Sequence, residues 1–325
     1  MRLLVLNCHE PWIYQLRVLD ATLDLIVDLA GRKVAGWDER MRPLPPNARL
    51  LSLAEALAAP PGQWSAVICH NISDLIDTAS IDAPKLLILH DTLDGRMAQQ
   101  GANFEKAQMV ALLRQYLDHL GAHAVPVTAA KGESWGVVGA PLHCFADPAD
   151  YPAPTYAKPA GLRVANDVTS KRVFLAWDFH EEAFHGLPVT LVGHNPQFGI
   201  EAARGWDDLK QHFASHRFFV HTADPRYEDG FNMAMVEAMA AGLPVISNAH
   251  PTSPITHGVD GFVAVRPHEA REYAAVLLAD AELARTMGDA ARRTAVARFG
   301  LARFREGARA AIGRARESYV LRQRA

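Results

Sequence analysis

The chain has 325 residues, of which 49% are hydrophobic and 21% are charged, and its formal net charge is −3. This composition is ordinary for a globular protein, and the small net charge gives no overall attraction to nucleic acid. No stretch approaches the ~18 consecutive apolar residues of a membrane-spanning helix, and the first apolar run is too short for a signal peptide. The three cysteines, Cys8, Cys69 and Cys144, lie far apart, which argues against a disulfide framework. Together these observations predict a cytoplasmic protein.

The first half of the chain alternates short apolar runs with segments of helical spacing. The predicted strands are residues 3–6, 23–27, 66–69, 86–89 and 124–127, and the predicted helices are residues 12–19, 53–57 and 103–120. Strands that alternate with helices indicate βα units and a parallel, doubly wound sheet. A chain of this length fits two domains of about 150 residues, and we assign residues 1–150 to the first.

Prolines and tyrosines are concentrated in residues 147–161, which we interpret as an interdomain linker. Residues 151–325 then repeat the alternation. The predicted strands are residues 163–165, 189–192, 218–221, 245–247 and 261–265, and the predicted helices are residues 171–184, 206–214, 232–241, 267–278, 281–298 and 302–324. The predicted fold class is therefore α/β, with two Rossmann-like parallel-sheet domains that face a central cleft. The last helix can pack back on the first domain.

A carboxylate in an apolar helical run is the most informative feature of the sequence. Glu237 lies among Met, Val and Ala residues, and Asp229 precedes it in the same segment. An ionised carboxylate buried without partners costs several kcal/mol. We therefore expect Glu237 to bind a polar ligand. Gly230 and Gly242 bracket the predicted helix, and the free N–H groups of a helix N-terminus favour a phosphate.

This arrangement suits a nucleotide diphospho-sugar. A diphosphate at the helix start would leave a ribose within reach of Glu237, whose two oxygens accept hydrogen bonds from vicinal hydroxyls. Asp229 would then face the group on the far phosphate. The predicted donor-binding residues at the helix start are Gly230, Phe231, Asn232 and Met233.

The segment 228–262 resembles the donor-binding signature of family-4-like retaining glycosyltransferases of group 1 type. That motif is a carboxylate, seven residues, a glutamate and then Ala-Met-Ala-x-Gly-x-Pro-Val, which is matched from Asp229 through Glu237 to Val245 and continues through residues 254–263. The resemblance covers most of residues 160–310. It implies a GT-B fold, a UDP- or GDP-linked sugar as donor substrate, transfer with retention of configuration, no cofactor and no metal.

Three departures from the family pattern concern the phosphate contacts. The first carboxylate is Asp229 rather than Glu, and the glycine-rich loop after the first strand is absent. The family's Arg is replaced by Asn166, whereas its Lys is matched by Lys171, and Arg172 can supply the second charge. The resemblance implies catalytic roles for Lys171 and Asp229, and a donor-binding role for the region of Asn166. Gly193, after the strand at residues 189–192, either contacts the base or ribose or forms a simple turn.

Three histidines of the first domain follow predicted strands. These are His9, His70 and His90, and ligands bind at the carboxyl ends of strands in open α/β sheets. His90 resembles the histidine that family members place beside the sugar and acceptor, which implies a catalytic role. The predicted acceptor-side residues are His9, Glu10, His70 and Asp91. A structural hydrogen-bonding role stays open for each histidine. The cysteine–histidine pairs lack the spacing of a dedicated metal motif, so no metal site is predicted.

The predicted function is that of a retaining hexosyltransferase-like enzyme that acts on an unidentified glycan, lipid or small-molecule acceptor. One alternative is a GT-B sugar-nucleotide epimerase, with Glu10, Asp91 and Asp94 as possible acid–base groups. Another is a non-catalytic subunit that binds nucleotide sugars. The last helix is rich in arginine, which indicates either a solvated helix face or weak peripheral association with the inner face of a membrane.

Overall fold

The computed structural model describes residues 1–29 and 36–324. These residues form two compact units. Unit 1 consists of residues 1–143 together with residues 304–325, and unit 2 consists of residues 144–303. The sequence places the domain boundary at residue 150 and assigns the last helix to the second domain.

Unit 1 is built on a six-stranded parallel sheet with the strand order β3-β2-β1-β4-β5-β6. Its strands are β1 Arg2–Leu6, β2 Thr22–Val27, β3 Ala48–Ser52, β4 Ala66–Cys69, β5 Lys85–Leu89 and β6 His123–Pro126. Strands β4 and β5 are buried along their whole length, as expected for a parallel sheet covered on both faces. Strand order reverses on either side of β1, which is the doubly wound arrangement that the alternation predicts.

The helices of unit 1 are more numerous than the sequence predicts. They are α1 Glu10–Ile13, α2 Leu53–Leu57, α3 Ile72–Asp77, α4 Leu93–Gln100, α5 Lys106–Leu120, α6 Ala129–Ser134 and α12 Leu301–Arg324. The prediction misses α3, α4 and α6, although it includes α2, which is shorter than each of them. It also misses β3, whose residues are partly exposed. The predicted helix at residues 12–19 is instead α1 followed by a 3-10 turn, Tyr14–Val18.

Unit 2 is built on a five-stranded parallel sheet with the order β11-β10-β9-β7-β8. Its strands are β7 Lys158–Val164, β8 Val189–Val192, β9 His216–His221, β10 Val245–Asn248 and β11 Gly261–Ala264. Its helices are α7 Trp177–Phe184, α8 Trp206–Ser215, α9 Met233–Ala241, α10 Pro267–Ala279 and α11 Ala281–Phe299. The helix predicted from residue 171 begins only at Trp177, after a series of turns.

The predicted linker at residues 147–161 is wrong, because this segment is packed within unit 2. Tyr151 and Tyr156 are buried, and the Tyr156 hydroxyl donates a hydrogen bond to the carbonyl oxygen of Gly242 at 2.6 Å. Strand β7 begins inside the segment, at Lys158. Proline content suggested a linker, but the tyrosines join the core of the unit.

Helix α12 completes unit 1. Its buried side chains include Phe304, Ala308 and Ile312, and Phe304 packs edge-on against Trp12 with ring centroids 6.3 Å apart. The Arg305 side chain donates to the carbonyl oxygen of Val18 at 3.0 Å. Among the described helices, α12 included, none combines the length and apolar character that crossing a membrane requires.

Asp24 is a buried carboxylate in strand β2 that ties three parts of unit 1 together. Its oxygens accept hydrogen bonds from Arg2 Nε at 2.7 Å, Arg49 Nε at 2.6 Å and Trp64 Nε1 at 2.7 Å. Burial raises the pKa of Asp24, but the hydrogen bonds from Arg49, Trp64 and Arg2 outweigh it, so the pKa lies below its ordinary value. The group is therefore charged in the folded protein.

We expect Asp24→Asn to lower the free energy of unfolding by about 1–3 kcal/mol, because it removes the charge that two arginines share in the interior. Urea unfolding measures this change. Because the pKa is lower in the folded state, the Asp24 contribution is present above the unfolded pKa and is lost as the pH falls through the folded value. Asp20→Asn is the control, since Asp20 pairs with Arg309 at an exposed position, where loss of the pair costs less than about 1 kcal/mol. Equal effects of the two substitutions would contradict the assignment.

Candidate functional site

Helix α9 follows strand β9 in unit 2 and carries the signature glutamate. Its N-cap is Asn232, whose side-chain oxygen accepts a hydrogen bond from the backbone N–H of Met235 at 2.9 Å. The helix ends at Gly242, whose φ of 93° lies in the left-handed region that glycine adopts without strain. Residues 235–241 are all buried, in an apolar cluster shared with β9, α8 and α11.

Glu237 lies in the second turn of α9 and is 8% exposed, between the fully buried Val236 and Ala238. A charged carboxylate at such a position is costly unless polar groups surround it. Both ends of the helix match the sequence-based prediction to within a residue. The apolar neighbours of Glu237 in the sequence predicted that it is buried, and the structure shows this burial.

The loop before α9 is tightly packed against the loop after β10. Asp229 is 2% exposed. The backbone N–H of Gly230 donates to Thr252 Oγ1 at 2.8 Å, and a Cβ on Gly230 would lie 2.8 Å from both the His250 ring and the Ser253 nitrogen. Only glycine fits this approach. The His250 Nε2 also bonds to the carbonyl oxygen of Glu228, at 3.1 Å.

Amide side chains join the loops after β7 and β8. The Asn166 Oδ1 accepts from the backbone N–H of His194 at 2.8 Å. Asn195 accepts from the Val168 N–H at 2.9 Å and donates to the carbonyl oxygen of Ala165 at 2.7 Å. Gly193 has a φ of 141°, and a Cβ there would meet the Ala165 carbonyl oxygen at 2.1 Å. Asn166 and Gly193 thus lie side by side at the carboxyl edge of the sheet.

The two cations predicted to hold the diphosphate have different surroundings. The Lys171 Nζ is partly exposed and lies 3.8 Å from Asp167 Oδ2. The Arg172 guanidinium pairs with both Asp178 and Glu181 on helix α7. The charge of Arg172 is therefore matched by carboxylates of unit 2 itself.

Three buried basic side chains lie behind this edge, and sequence reasoning missed them. Arg163 in β7 donates to the carbonyl oxygens of Val220 at 3.2 Å and Thr222 at 3.1 Å, and burial lowers its pKa to about 9. Burial, with the charge of Arg163, lowers the pKa of His180 and His221 to about 3 each. The available signal was a charged residue inside an otherwise apolar strand.

In unit 1 the structure brings together His70 and His90. The His70 Nδ1 and the His90 Nε2 lie 2.8 Å apart, at hydrogen-bonding distance. The ring of Trp12 packs edge-on against both, with centroid distances of 4.9 Å and 5.1 Å. Burial holds the pKa of His90 well below its usual value, and the charges of His70 and Lys131 lower it further. His90 is therefore neutral near pH 7.

The other predicted acceptor-side residues have separate environments. His9 is exposed and is the N-cap of α1, without a side-chain capping bond. Glu10 is buried and accepts from Asn7 Nδ2 at 3.1 Å. Asp91 follows His90, and its carbonyl oxygen accepts from Trp135 Nε1 at 2.9 Å. His9 and Asp91 follow the ends of β1 and β5, and Glu10 begins helix α1 beside His9.

Residues 188–280 match the sequence model of the family described as Glycosyl transferases group 1. This match lies in unit 2 and includes α9, Asp229 and Glu237. The resemblance to group 1 glycosyltransferases is confirmed. No curated protein matches the sequence as a whole.

Solved structures similar to this chain show the fold. HepE of Anabaena, in complex with UDP and glucose, aligns with a TM-score of 0.66 at 13% identity, over 96% of this chain and 99% of that one. Sucrose-phosphate synthase from Thermosynechococcus elongatus gives a TM-score of 0.58 at 15% identity, over 95% and 97% of the two chains. WaaG, a glycosyltransferase involved in lipopolysaccharide biosynthesis, gives 0.59 at 13% identity, over 95% and 98%. The chain has the GT-B fold that the signature predicts.

Because His180 and His221 are buried, we expect unit 2 to lose stability in acid. Since the pKa of His180 and His221 is lower in the folded state, their contribution is present above the unfolded pKa and is lost as the pH falls below about 6.5. We expect the free energy of unfolding to fall on the order of 1 kcal/mol per histidine between about pH 6 and pH 5. The double substitution of His180 and His221 by Gln should flatten this slope in urea unfolding. His194→Gln, at an exposed position, is the control, and a slope equally reduced there would refute the prediction.

Proposed function

We propose that the protein transfers a sugar from a UDP- or GDP-linked donor to an acceptor with retention of configuration. One observation carries this proposal. Glu237 is a buried carboxylate two turns into a capped helix at the carboxyl edge of the unit 2 sheet. This is the edge at which open α/β sheets bind ligands. A hydroxyl-rich ligand with an anionic group at the helix start accounts for both the charge and its position.

The donor contacts follow from the backbone of α9. The Asn232 side chain caps Met235, and the N–H groups of a helix's first turn point along its axis toward the helix start, where they can bind phosphate oxygens. Glu237 would accept from the ribose hydroxyls. Asp229 would accept from the donor sugar, and Gly230 and Phe231 would line the path between them.

Besides the backbone N–H groups, we assign a cationic contact with the diphosphate to Lys171 rather than to Arg172. Arg172 pairs closely with the two carboxylates of Asp178 and Glu181, whereas Lys171 lies 3.8 Å from the single carboxylate of Asp167. Asn166 bonds to the backbone of His194, so its role is to shape the loop with Gly193. Stabilising charge on the departing diphosphate is the main electrostatic task of such residues.

The acceptor side is assigned to the carboxyl edge of unit 1. His90 is neutral, so it can donate a hydrogen bond to a hydroxyl of the substrate that receives the sugar, or accept one from it. His9, His70, Glu10 and Asp91 would complete that surface. We propose front-face displacement, in which the acceptor oxygen bonds to the anomeric carbon as the bond to the diphosphate breaks, and the leaving phosphate takes the acceptor's proton. No protein nucleophile, cofactor or metal enters this proposed step.

Incubation of the pure protein with UDP-, GDP- and ADP-sugars distinguishes the three candidate functions. Slow release of free sugar and nucleotide supports a transferase. A changed sugar that stays attached to the nucleotide supports an epimerase, and binding without turnover in the presence of candidate acceptors supports a binding subunit. An anomeric configuration of the product opposite to that of the donor would refute retention.

Glu237→Ala should weaken the binding of UDP or GDP on the order of 100-fold, because it removes the charged group that accepts hydrogen bonds from the ribose hydroxyls. Isothermal titration calorimetry measures this affinity. Glu272→Ala is the matched control, since Glu272 is exposed on helix α10 and lies in the same unit. An unchanged affinity in Glu237→Ala would refute the site.

Lys171→Met should weaken the binding of the nucleoside diphosphate on the order of tenfold. It should leave the binding of the free nucleoside unchanged, because in this proposal the lysine contacts only phosphate. Arg172→Met should have a much smaller effect, since the charge of Arg172 is already matched within unit 2. The same calorimetric titration with both ligands provides the comparison. A larger loss in Arg172→Met would reverse the assignment.

We propose that the main role of the arginines of helix α12 is to bind groups of unit 1. Its arginines bond to groups of that unit: Arg305 to Val18, Arg309 to Asp20, Arg314 to His123, Arg316 to Ser65 and Arg322 to His119. Cytoplasmic location with weak association at a membrane surface stays a prediction. Co-sedimentation with vesicles that contain anionic lipid tests the membrane association. The absence of binding at both low and high salt would refute it.

A further inference from the structure

A cysteine and two histidines meet at the carboxyl edge of the unit 1 sheet. Cys8 follows β1, His70 follows β4 and His90 follows β5. Strand β4 pairs with both β1 and β5, so the three loops are neighbours even though the residues are far apart in sequence. One ligand atom from each side chain lies within 4.8 Å of the other two.

We propose that Cys8, His70 and His90 bind a divalent metal ion of the zinc class. Thiolate sulfur and imidazole nitrogen are the ligands that Zn²⁺ prefers, at about 2.3 Å and about 2.0–2.1 Å respectively. Carboxylate oxygens, the usual ligands of Mg²⁺ and Ca²⁺, are not part of the set. The proposal is independent of the proposed transferase function, because it is read out from the metal itself.

Only a small movement is needed to form the site. The His70 Nδ1 and the His90 Nε2 are 2.8 Å apart, and two nitrogens bound to one tetrahedral zinc ion are about 3.3 Å apart at the usual bond lengths. The ion would therefore replace the hydrogen bond between the rings. Trp12 packs on the edges of both rings and keeps them oriented toward each other.

The backbone around the ligands is also fixed. The N–H of His70 donates to Asp74 Oδ2 at 2.8 Å, and the N–H of Asn71 donates to the same oxygen at 3.0 Å. Asp74 therefore holds the loop that carries His70. Supporting contacts of this kind orient metal ligands and raise affinity.

Cys8 is the ligand on which the charge balance depends. A thiolate offsets one charge of the ion, and the bound ion itself favours the thiolate over the thiol. We therefore expect Cys8→Ser to cost more affinity than either histidine substitution.

Three protein ligands leave one position of a tetrahedral ion open. Cys8 and His90 are both partly exposed, so an ion and a water molecule can enter from solvent. Water would fill the fourth position. The spacing of the three residues in the sequence is too wide for a recognisable metal motif.

Titration of the metal-free protein with Co²⁺ tests the proposal. We expect one equivalent to bind, with a thiolate-to-cobalt charge-transfer band in the near ultraviolet and the intense visible bands of a tetrahedral ion, both removed by added Zn²⁺. Cys8→Ser should abolish the charge-transfer band. His70→Gln and His90→Gln should weaken binding on the order of 100-fold. Cys144→Ser and His194→Gln, both in unit 2, are the matched controls and should bind as the unsubstituted protein does.

Two results would overturn the proposal. One is the absence of a charge-transfer band in the unsubstituted protein, and the other is loss of the band in Cys144→Ser but not in Cys8→Ser. A measurement without variants guards against substitutions that fail to fold. Zn²⁺ should raise the Tm of the unsubstituted protein, because it binds the folded state, and an unchanged Tm at saturating Zn²⁺ would also overturn it.

Discussion

The carboxyl edge of unit 2 is held in shape by asparagine side chains that bond to backbone groups of neighbouring loops. Asn166 and Asn195 join the loops after β7 and β8. Asn232 caps α9, and Asn248 at the end of β10 both accepts from the N–H of Ala223 and donates to its carbonyl oxygen. A primary amide provides donors and an acceptor in one neutral group, so it can satisfy loop backbone without adding charge.

This neutrality matters because the same edge is proposed to bind a diphosphate. At this edge the carboxylates Asp229 and Glu237 are buried, and the partly exposed Lys171 lies 3.8 Å from Asp167. Arg163, behind the edge, is fully buried and donates to two carbonyl oxygens of β9 and its following loop. In the family pattern an arginine stands where this chain has Asn166. In the structure Asn166 accepts a hydrogen bond from the backbone N–H of His194, and the proposed function assigns the phosphate contacts to backbone N–H groups and Lys171.

The sequence was most informative where one signal dominates. Helix α9 was predicted to within a residue at each end because an apolar run is bracketed by two glycines and carries a single charge. Strands β4 and β8 were predicted with their observed bounds because each is a short run rich in β-branched and apolar residues. Helix α3 was missed although Ile72, Leu75 and Ile76 have the i, i+3, i+4 spacing of a helix, as do the apolar residues of the predicted helix α2. Strand β3 was missed because its exposed residues mix charged and apolar types.

Contacts between distant parts of the chain were beyond any local pattern. The pairing of Arg172 with Asp178 and Glu181 depends on how the turns before α7 fold, and spacing does not determine that. The meeting of Cys8, His70 and His90 depends on strand order, which the sequence predicts only as a class of topology. The tyrosines at residues 151 and 156 misled the linker prediction, because proline-rich composition indicates irregular backbone but not whether that backbone is buried.

The assignment of helix α12 to unit 1 makes that unit discontinuous in the chain. Unit 2 is in effect an insertion between the sixth strand of unit 1 and its closing helix. Phe304 and the rest of helix α12 are synthesised after unit 2, so unit 2 can be complete before Phe304 covers Trp12 and the core of unit 1 is closed. A circular permutant that places the closing helix ahead of Met1 would make unit 1 continuous, and the order in which the two units become resistant to protease during synthesis would then reverse.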